Sequence, residues 1–425
     1  MATISLDTGH YITTYPESKA STLVAPKGTI ENVKRRAACA KFYRKADGSH
    51  EVHCWNKYAP VHYKDDYAKD TEWKEIDPTY YEDQGTYLEF SRMPHTVRVW
   101  KDKIGYEITD RRTGKVMSAE LLELDNEKLS LSAKKNKVDF DIHVQSLGVR
   151  LWKHTKVNGP TKFKWLVKDV SDKESWLKFR EVPEAKDVNG KSVVVETSKV
   201  LCKGGYYFTE QVDKTGISID TDFTGQTSDG YIFGRAALYS SARSTSLSYD
   251  TSGSLVLGQE YSGSHIINRA FLDFDTSAIT ETVTQANLRM VTLYDSSTTD
   301  FDIQIVKQTW QEALGSYTED NYDGCLAGTA DANIWRNTSG MSVETQYTSG
   351  NLSTAWVNIS GDTKYSLRSS RDYAGTEPSG NEKITLASAD NETTSYRPCL
   401  IVVEATGFSG KVMGVASPAK VMGVQ

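Results

Sequence analysis

Arg269-Ala270-Phe271-Leu272-Asp273-Phe274-Asp275-Thr276-Ser277-Ala278-Ile279 is the stretch on which the fold turns. Ala270, Leu272 and Phe274 alternate with the charged Arg269, Asp273 and Asp275, and a period of two marks a half-buried strand. Phe271 interrupts the charged side, so the second face is not wholly wet. A Thr-Ser turn follows, and then Ala286, Leu288 and Met290 alternate with Asn287 and Arg289 as a second strand. Strand, polar connection, strand is the rhythm of the whole second half, and the reading is an all-β chain.

The totals fit that reading. At 425 residues the chain has room for more than one core. Apolar residues are 38% and charged residues 25%, which places it among polar globular proteins. Tyr (23) outnumbers Phe (12), and such amphipathic rings suit sheet faces and interfaces. The net charge of −6 hides an asymmetry. Residues 1–215 carry 37 Lys+Arg against 32 Asp+Glu, a net of +5; residues 216–425 carry 13 against 24, a net of −11. Two surfaces of opposite sign suggest two domains. The positive half is too weakly basic for a nucleic-acid partner.

Cys39, Cys54, Cys202, Cys325 and Cys399 form no CxxC pair, and their odd number argues against a complete disulfide framework. The start, Met1-Ala2-Thr3-Ile4-Ser5, has neither the basic flank nor the apolar run of a signal peptide. No stretch approaches the roughly 20 apolar residues of a membrane span. The expectation is a chain made in the cytoplasm without membrane insertion.

Read in order, residues 1–30 are polar and aperiodic, an extended arm of the kind that orders on a neighbour. Residues 31–215 then read as a β-rich attachment domain. It includes a hairpin of Cys39–Tyr43 with Glu51–Trp55 across Asp47-Gly48, and the alternating stretch Val138–Val144. Ser118–Leu129 is its only helix candidate. Near Gly216 Lys becomes scarce and Ser, Thr, Gly and Asp common, so a second domain is placed at 216–406. Its eight or more short strands, Trp356–Asn358 among them, suit a jelly roll. A tail at 407–425 repeats Lys411-Val412-Met413-Gly414-Val415 as Lys420-Val421-Met422-Gly423-Val424. Within it Lys411, Val412, Met413, Val415, Lys420, Val421, Met422 and Val424 are candidates for adding a strand to a neighbour's sheet.

Taken together, four pieces resemble the DNRLRE family, disaggregatase-related domains grouped with carbohydrate-binding modules. They are Asn268 to Ile279, Ala286-Asn287-Leu288-Arg289-Met290, Trp310, and the closing Ser395-Tyr396-Arg397-Pro398-Cys399-Leu400-Ile401-Val402-Val403. The resemblance covers about residues 218–405. More narrowly, Ser228-Asp229-Gly230-Tyr231, the run from Asp300 to Ile305, the run from Tyr365 to Asp372 and the tail repeat look like a version seen in tailed-bacteriophage structural proteins. Pro60-Val61-His62-Tyr63-Lys64-Asp65 and Trp73-Lys74-Glu75-Ile76-Asp77 resemble the β-rich leader that precedes it. The resemblance implies a virion component made in the host bacterial cytoplasm. Its partners would be other virion proteins, further copies of itself and host-surface glycans.

The chain has no GxSxG, HExxH or GxxxxGK[ST] pattern. Asp273 and Asp275 share a strand face at about 7 Å, which fits a glycosidase pair but equally a solvated face, the reading adopted. With Asp229 they are candidates for a structural calcium; no other cofactor is expected. Trp310, Tyr317, Tyr322 and Trp335 sit on polar loops and are the candidates for stacking on sugars. The expected function is a structural virion component, as capsid decoration, head fibre or tail-associated protein. A dedicated carbohydrate-binding adhesin is the alternative, and a polysaccharide-degrading enzyme ranks last.

Overall fold

The computed structural model describes residues 2–6, 11–14, 25–69, 71–130, 136–169, 177–179, 184–189, 191–225, 228–251, 253–312, 314–391 and 393–405. The chain is all-β, built of large curled sheets that are antiparallel almost throughout. The fully described α-helices, Tyr239–Ser244, Thr318–Ala327 and Ser370–Ala374, are short.

The first unit is a sandwich of two sheets. One carries Ala2–Ser5, Tyr11–Thr14, Val138–Gln145, Gly148–Thr155, Ile217–Gly225 and Leu177–Phe179 in that order. The other runs from Glu196–Cys202 through Gly205–Gln211, Lys162–Asp169, Val116–Leu124, Gly105–Asp110 and His95–Trp100 to Tyr87–Phe90 and Glu82–Asp83. Inward side chains of both, such as Ile142, Leu151 and Ile219 against Val97, Ile108 and Trp165, share one core. Alternation in the sequence therefore becomes an apolar layer between two sheets. Val116–Leu124 buries Met117, Ala119 and Leu121 on one side, so the expected helix over 118–129 is instead a strand. Ala, Glu and Leu favour helices intrinsically, but a waiting sheet edge on each flank outweighs propensity.

The second unit is one long ladder that curls around its own core. Its path runs Arg336–Asn337, Asp302–Lys307, Asp362–Ser369, His265–Asp275, Ser254–Tyr261, Asn381–Ala387, Val283–Asp295, Cys399–Glu404, His50–Cys54, Ala40–Arg44 and Ile30–Glu31. Leu255, Leu272, Leu288, Ile303, Leu367 and Leu400 meet inside. The stretch Trp356–Asn358 adds no strand; Thr354–Trp356 is a 3-10 turn.

The domain limits read from composition need correction at three places. The described parts of the 1–30 arm are woven in: Ala2–Ser5 pairs with Tyr11–Thr14, which lies parallel to Val138–Gln145 with Ile12 fully buried. Ile217–Gly225 belongs to the first unit, pairing with Gly148–Thr155, so the change of unit falls after residue 225. The hairpin of Ala40–Arg44 with His50–Cys54 belongs to the second unit. Val52 faces Val402 and Cys54 faces Leu400 in the ladder, and Phe42, Val52 and Cys54 join the second core. Without the hairpin the last strand would leave an apolar edge open.

The organising strand, His265–Asp275, is buried on both faces. One face enters the main core through Ala270, Leu272 and Phe274. The other is roofed by Thr318–Ala327 and neighbouring loops, where Phe271 packs with Trp310, Leu314 and Tyr322. The wet charged side expected of Arg269 and Asp273 is therefore absent, and both side chains are fully enclosed.

Candidate functional site

Three of the four expected sugar-stacking rings are inside the protein. Trp310, Tyr322 and Trp335 are 1%, 0% and 3% exposed. Each polar tip is engaged within the fold: Trp310 Nε1 donates to the Tyr365 carbonyl, Trp335 Nε1 to that of Leu288 and the Tyr322 hydroxyl to that of Ala242. The Tyr322 ring also lies 3.8 Å under the Arg269 guanidinium, whose two nitrogens grip Asp372 at 2.8 and 3.1 Å. Trp310 and Tyr322 roof the organising strand, Tyr322 from the helix Thr318–Ala327, and Trp335 packs into the main core; a ring stacked on a core cannot stack on a sugar. Only Tyr317 stays open, at 44% exposure. The tail candidates at 411–424 lie outside the described residues.

An open groove of about 370 Å³ lies elsewhere in the second unit. Gly230–Ala236, His265–Asp275, Ser254–Tyr261 and Asn381–Ala387 run side by side beneath it. Because side chains alternate, Tyr231, Phe233 and Arg235 all line this groove, while Ile232 points the other way, into the cluster of Phe271, Trp310 and Tyr322. Tyr231 and Phe233 lie 6.3 Å apart and tilted by 33°. Glu260, Asn268 and Lys383 flank them, with Lys383 Nζ donating to Glu260 at 2.6 Å. Two half-open rings beside charged and amide groups are the composition of a site for a polar ligand with apolar faces. The signal was present in Tyr231-Ile232-Phe233-Gly234-Arg235, a strand with two aromatic rings on one side.

The calcium candidates are split. Asp275 caps its own turn, accepting from the Ser277 amide at 3.0 Å. Asp229 and Asp273 come together: the Asp273 amide donates to Asp229 Oδ1 at 3.1 Å, and Asn56 Nδ2 donates to the same oxygen at 2.6 Å. One oxygen of each, Asp229 Oδ2 and Asp273 Oδ1, is buried without a partner in the fold. Burial, with Asp273 beside it, pushes the Asp229 carboxyl well above its ordinary range. Burial and the nearby Asp362 push Asp273 up to about 6, with Lys57 opposing.

Glu312 and Asp362 complete this cluster with Asp273, their oxygens within 4.8 Å of one another. Sequence reading missed them and missed Lys57, whose ammonium fills the centre. Lys57 Nζ donates to Glu312, donates to Asp362 at 2.8 Å and stands 3.8 Å from Asp273. Burial disfavours that ammonium, but Asp362, Glu312 and Asp273 outweigh burial and hold its pKa above the ordinary lysine value. As it stands, the cage fits an ammonium; a calcium ion needs six to eight oxygens and the space Lys57 takes. No local signal marks these partners, because Lys57 lies 255 and 305 residues from Glu312 and Asp362 in the chain.

No protein-family model matches the chain, and no curated protein matches it. Among solved structures, the GH31 alpha-xylosidase from Xanthomonas citri aligns at 8% identity with a TM-score of 0.11. The alignment covers 89% of this chain and 38% of that enzyme's, so the chain spans well under half of its length. So faint a likeness carries no argument about fold or activity.

Proposed function

We propose that the chain is a structural component of a bacteriophage particle, a decoration, head-fibre or tail-associated protein that works by contact and not by catalysis. It would be made in the host cytoplasm, take its place through sheet-edge contacts and turn its second unit outward. The observation that carries this reading is where the polar chemistry sits. Lys57 with Glu312 and Asp362, Arg269 with Asp372, and Lys153 with Glu210 each brace one element against another inside the fold. What the described surface offers is a shallow aromatic groove and an exposed sheet edge. The sequence resemblance supplies the particle; the brace pattern supplies the mechanical role.

Immunogold labelling of intact particles tests the location. Label on the head or tail is the expected result, and unlabelled particles from a lysate that contains the chain would reject it. The groove favours glycan contact as an accompanying role and keeps the adhesin reading in play. On a glycan array, the full chain should bind through Tyr231 and Phe233. Phe233→Ala should abolish binding while the thermal midpoint holds.

A further inference from the structure

Glu196–Cys202 ends the nine-stranded sheet of the first unit, and among the described residues its only ladder partner is Gly205–Gln211. Six of its seven residues are exposed. Val194, Val200 and Leu201 stand 81%, 62% and 81% open, an unusual apolar load for a free edge. Natural edges are normally blunted by charged side chains, proline or bulges; this one has no proline and no bulge, and Glu196 and Lys199 are its charges. We propose that this strand is the interface with a second copy of the chain, the two edges pairing antiparallel about a two-fold axis at Ser198. The proposal deepens the assembly reading above and takes its purpose from it.

The register follows from hydrogen-bond parity. Cys202 pairs with Gly205 across the two-residue turn Lys203-Gly204, where Gly204 adopts φ +75°. Such a turn closes on a hydrogen-bonded pair. Cys202, Val200, Ser198 and Glu196 therefore aim their amides and carbonyls at the neighbouring strand, and Leu201, Lys199 and Thr197 aim theirs outward. In an antiparallel ladder an outward residue must face another outward residue, which restricts a two-fold axis near the strand's middle to Thr197, Ser198 or Lys199. An axis at Lys199 sets two ammonium groups face to face. An axis at Thr197 sets Leu201 against Val193, whose amide already donates to the Ala185 carbonyl at 2.9 Å.

An axis at Ser198 has neither fault. It sets Lys199 against Thr197 and Val200 against Glu196. It also sets the open Leu201 against Val195, which packs on the first core, so each copy covers the other's exposed leucine. The Lys199 ammonium keeps its place 4.0 Å over the Tyr206 ring. Two Ser198 residues then form a non-hydrogen-bonded pair with Cα atoms about 4.5 Å apart, within disulfide reach.

The test uses the full chain with Cys202, the one cysteine that is not fully buried, changed to Ser. Ser198→Cys should give a covalent dimer under mild oxidation and Thr197→Cys should not. Without added cysteines, sedimentation velocity should show a dimer that Leu201→Lys weakens about tenfold or more. Leu201 is exposed, so that variant should keep its fold, checked by its thermal midpoint. A monomer at every concentration, a dimer that Ser198→Cys leaves uncrosslinked, or a dimer lost on removing residues 406–425 would each overturn the proposal. The last outcome would give the edge to the tail instead. A missing crosslink in a chain still found on particles rejects the interface and leaves the virion reading standing. A crosslinked dimer absent from particles does the reverse.

Discussion

Asp273 keeps its proton to about pH 6, against an ordinary 3.8, because enclosure and the nearby Asp362 outweigh Lys57, the Ser228 hydroxyl and Lys364. The folded chain thus holds a proton between pH 4 and 6 that the unfolded chain releases. A carboxyl raised in this way lowers stability as pH climbs through that window, and the loss persists above it. Asp273→Asn should therefore gain about 1 to 3 kcal/mol at pH 7.5 and almost nothing at pH 4, read by urea denaturation at the two values. Lys57→Ala has the opposite sign. It leaves Glu312, Asp362 and Asp273 without their shared cation and should cost roughly 2 to 4 kcal/mol at pH 7.5. The aromatics divide the same way. Trp310→Ala and Trp335→Ala open holes in the core and should cost about 3 to 5 kcal/mol, whereas Phe233→Ala should alter binding and leave stability within about 0.5 kcal/mol. None of this could be read from residue type. A Trp in a polar loop looks like a platform until the fold shows that the loop is a roof.

Elements were legible wherever alternation was strict. His265–Asp275 and Val283–Asp295 fall where apolar residues recur at every second position. Val138–Gln145 does the same in the first unit. Alternation says which face is buried and is silent on which strand lies alongside. Val116–Leu124 was misread because Ala-Glu-Leu-Leu-Glu-Leu satisfies a helical pattern and a strand pattern alike. The hairpin Ala40–Arg44 with His50–Cys54 was recognised as a hairpin but assigned to the wrong unit, because its partner Cys399–Glu404 lies at the far end of the sequence. A direct consequence can be checked. A fragment of residues 216–406, the domain that composition suggests, lacks three strands of its own ladder, Ile30–Glu31, Ala40–Arg44 and His50–Cys54. It should be insoluble or melt well below the full chain in a thermal scan, and adding residues 25–63 in trans should restore it in part.

On the scale of the whole molecule, the two sandwiches are sewn together rather than strung on a linker. The chain enters the first unit at Ala2–Ser5, crosses to the second for Ile30–Glu31, Ala40–Arg44 and His50–Cys54, and returns to the first by Tyr87–Phe90. Ala389 of the second unit packs in the first core, and Arg397 Nη2 donates to Ser146 across the seam at 3.2 Å. The charge contrast of +5 against −11 was counted over halves that the strands do not respect, because composition cannot see a chain crossing over. The crossing has a cost in time. The hairpin that ends at Cys54 leaves the ribosome long before Cys399–Glu404 exists to receive it. At roughly 5 to 20 residues per second that delay is on the order of 20 to 70 s, an age beside the microseconds a hairpin needs to form. Closure of the second ladder must then wait until Cys399–Glu404 has been made, so the nascent hairpin is a client for whatever chaperone guards unpaired strands during synthesis.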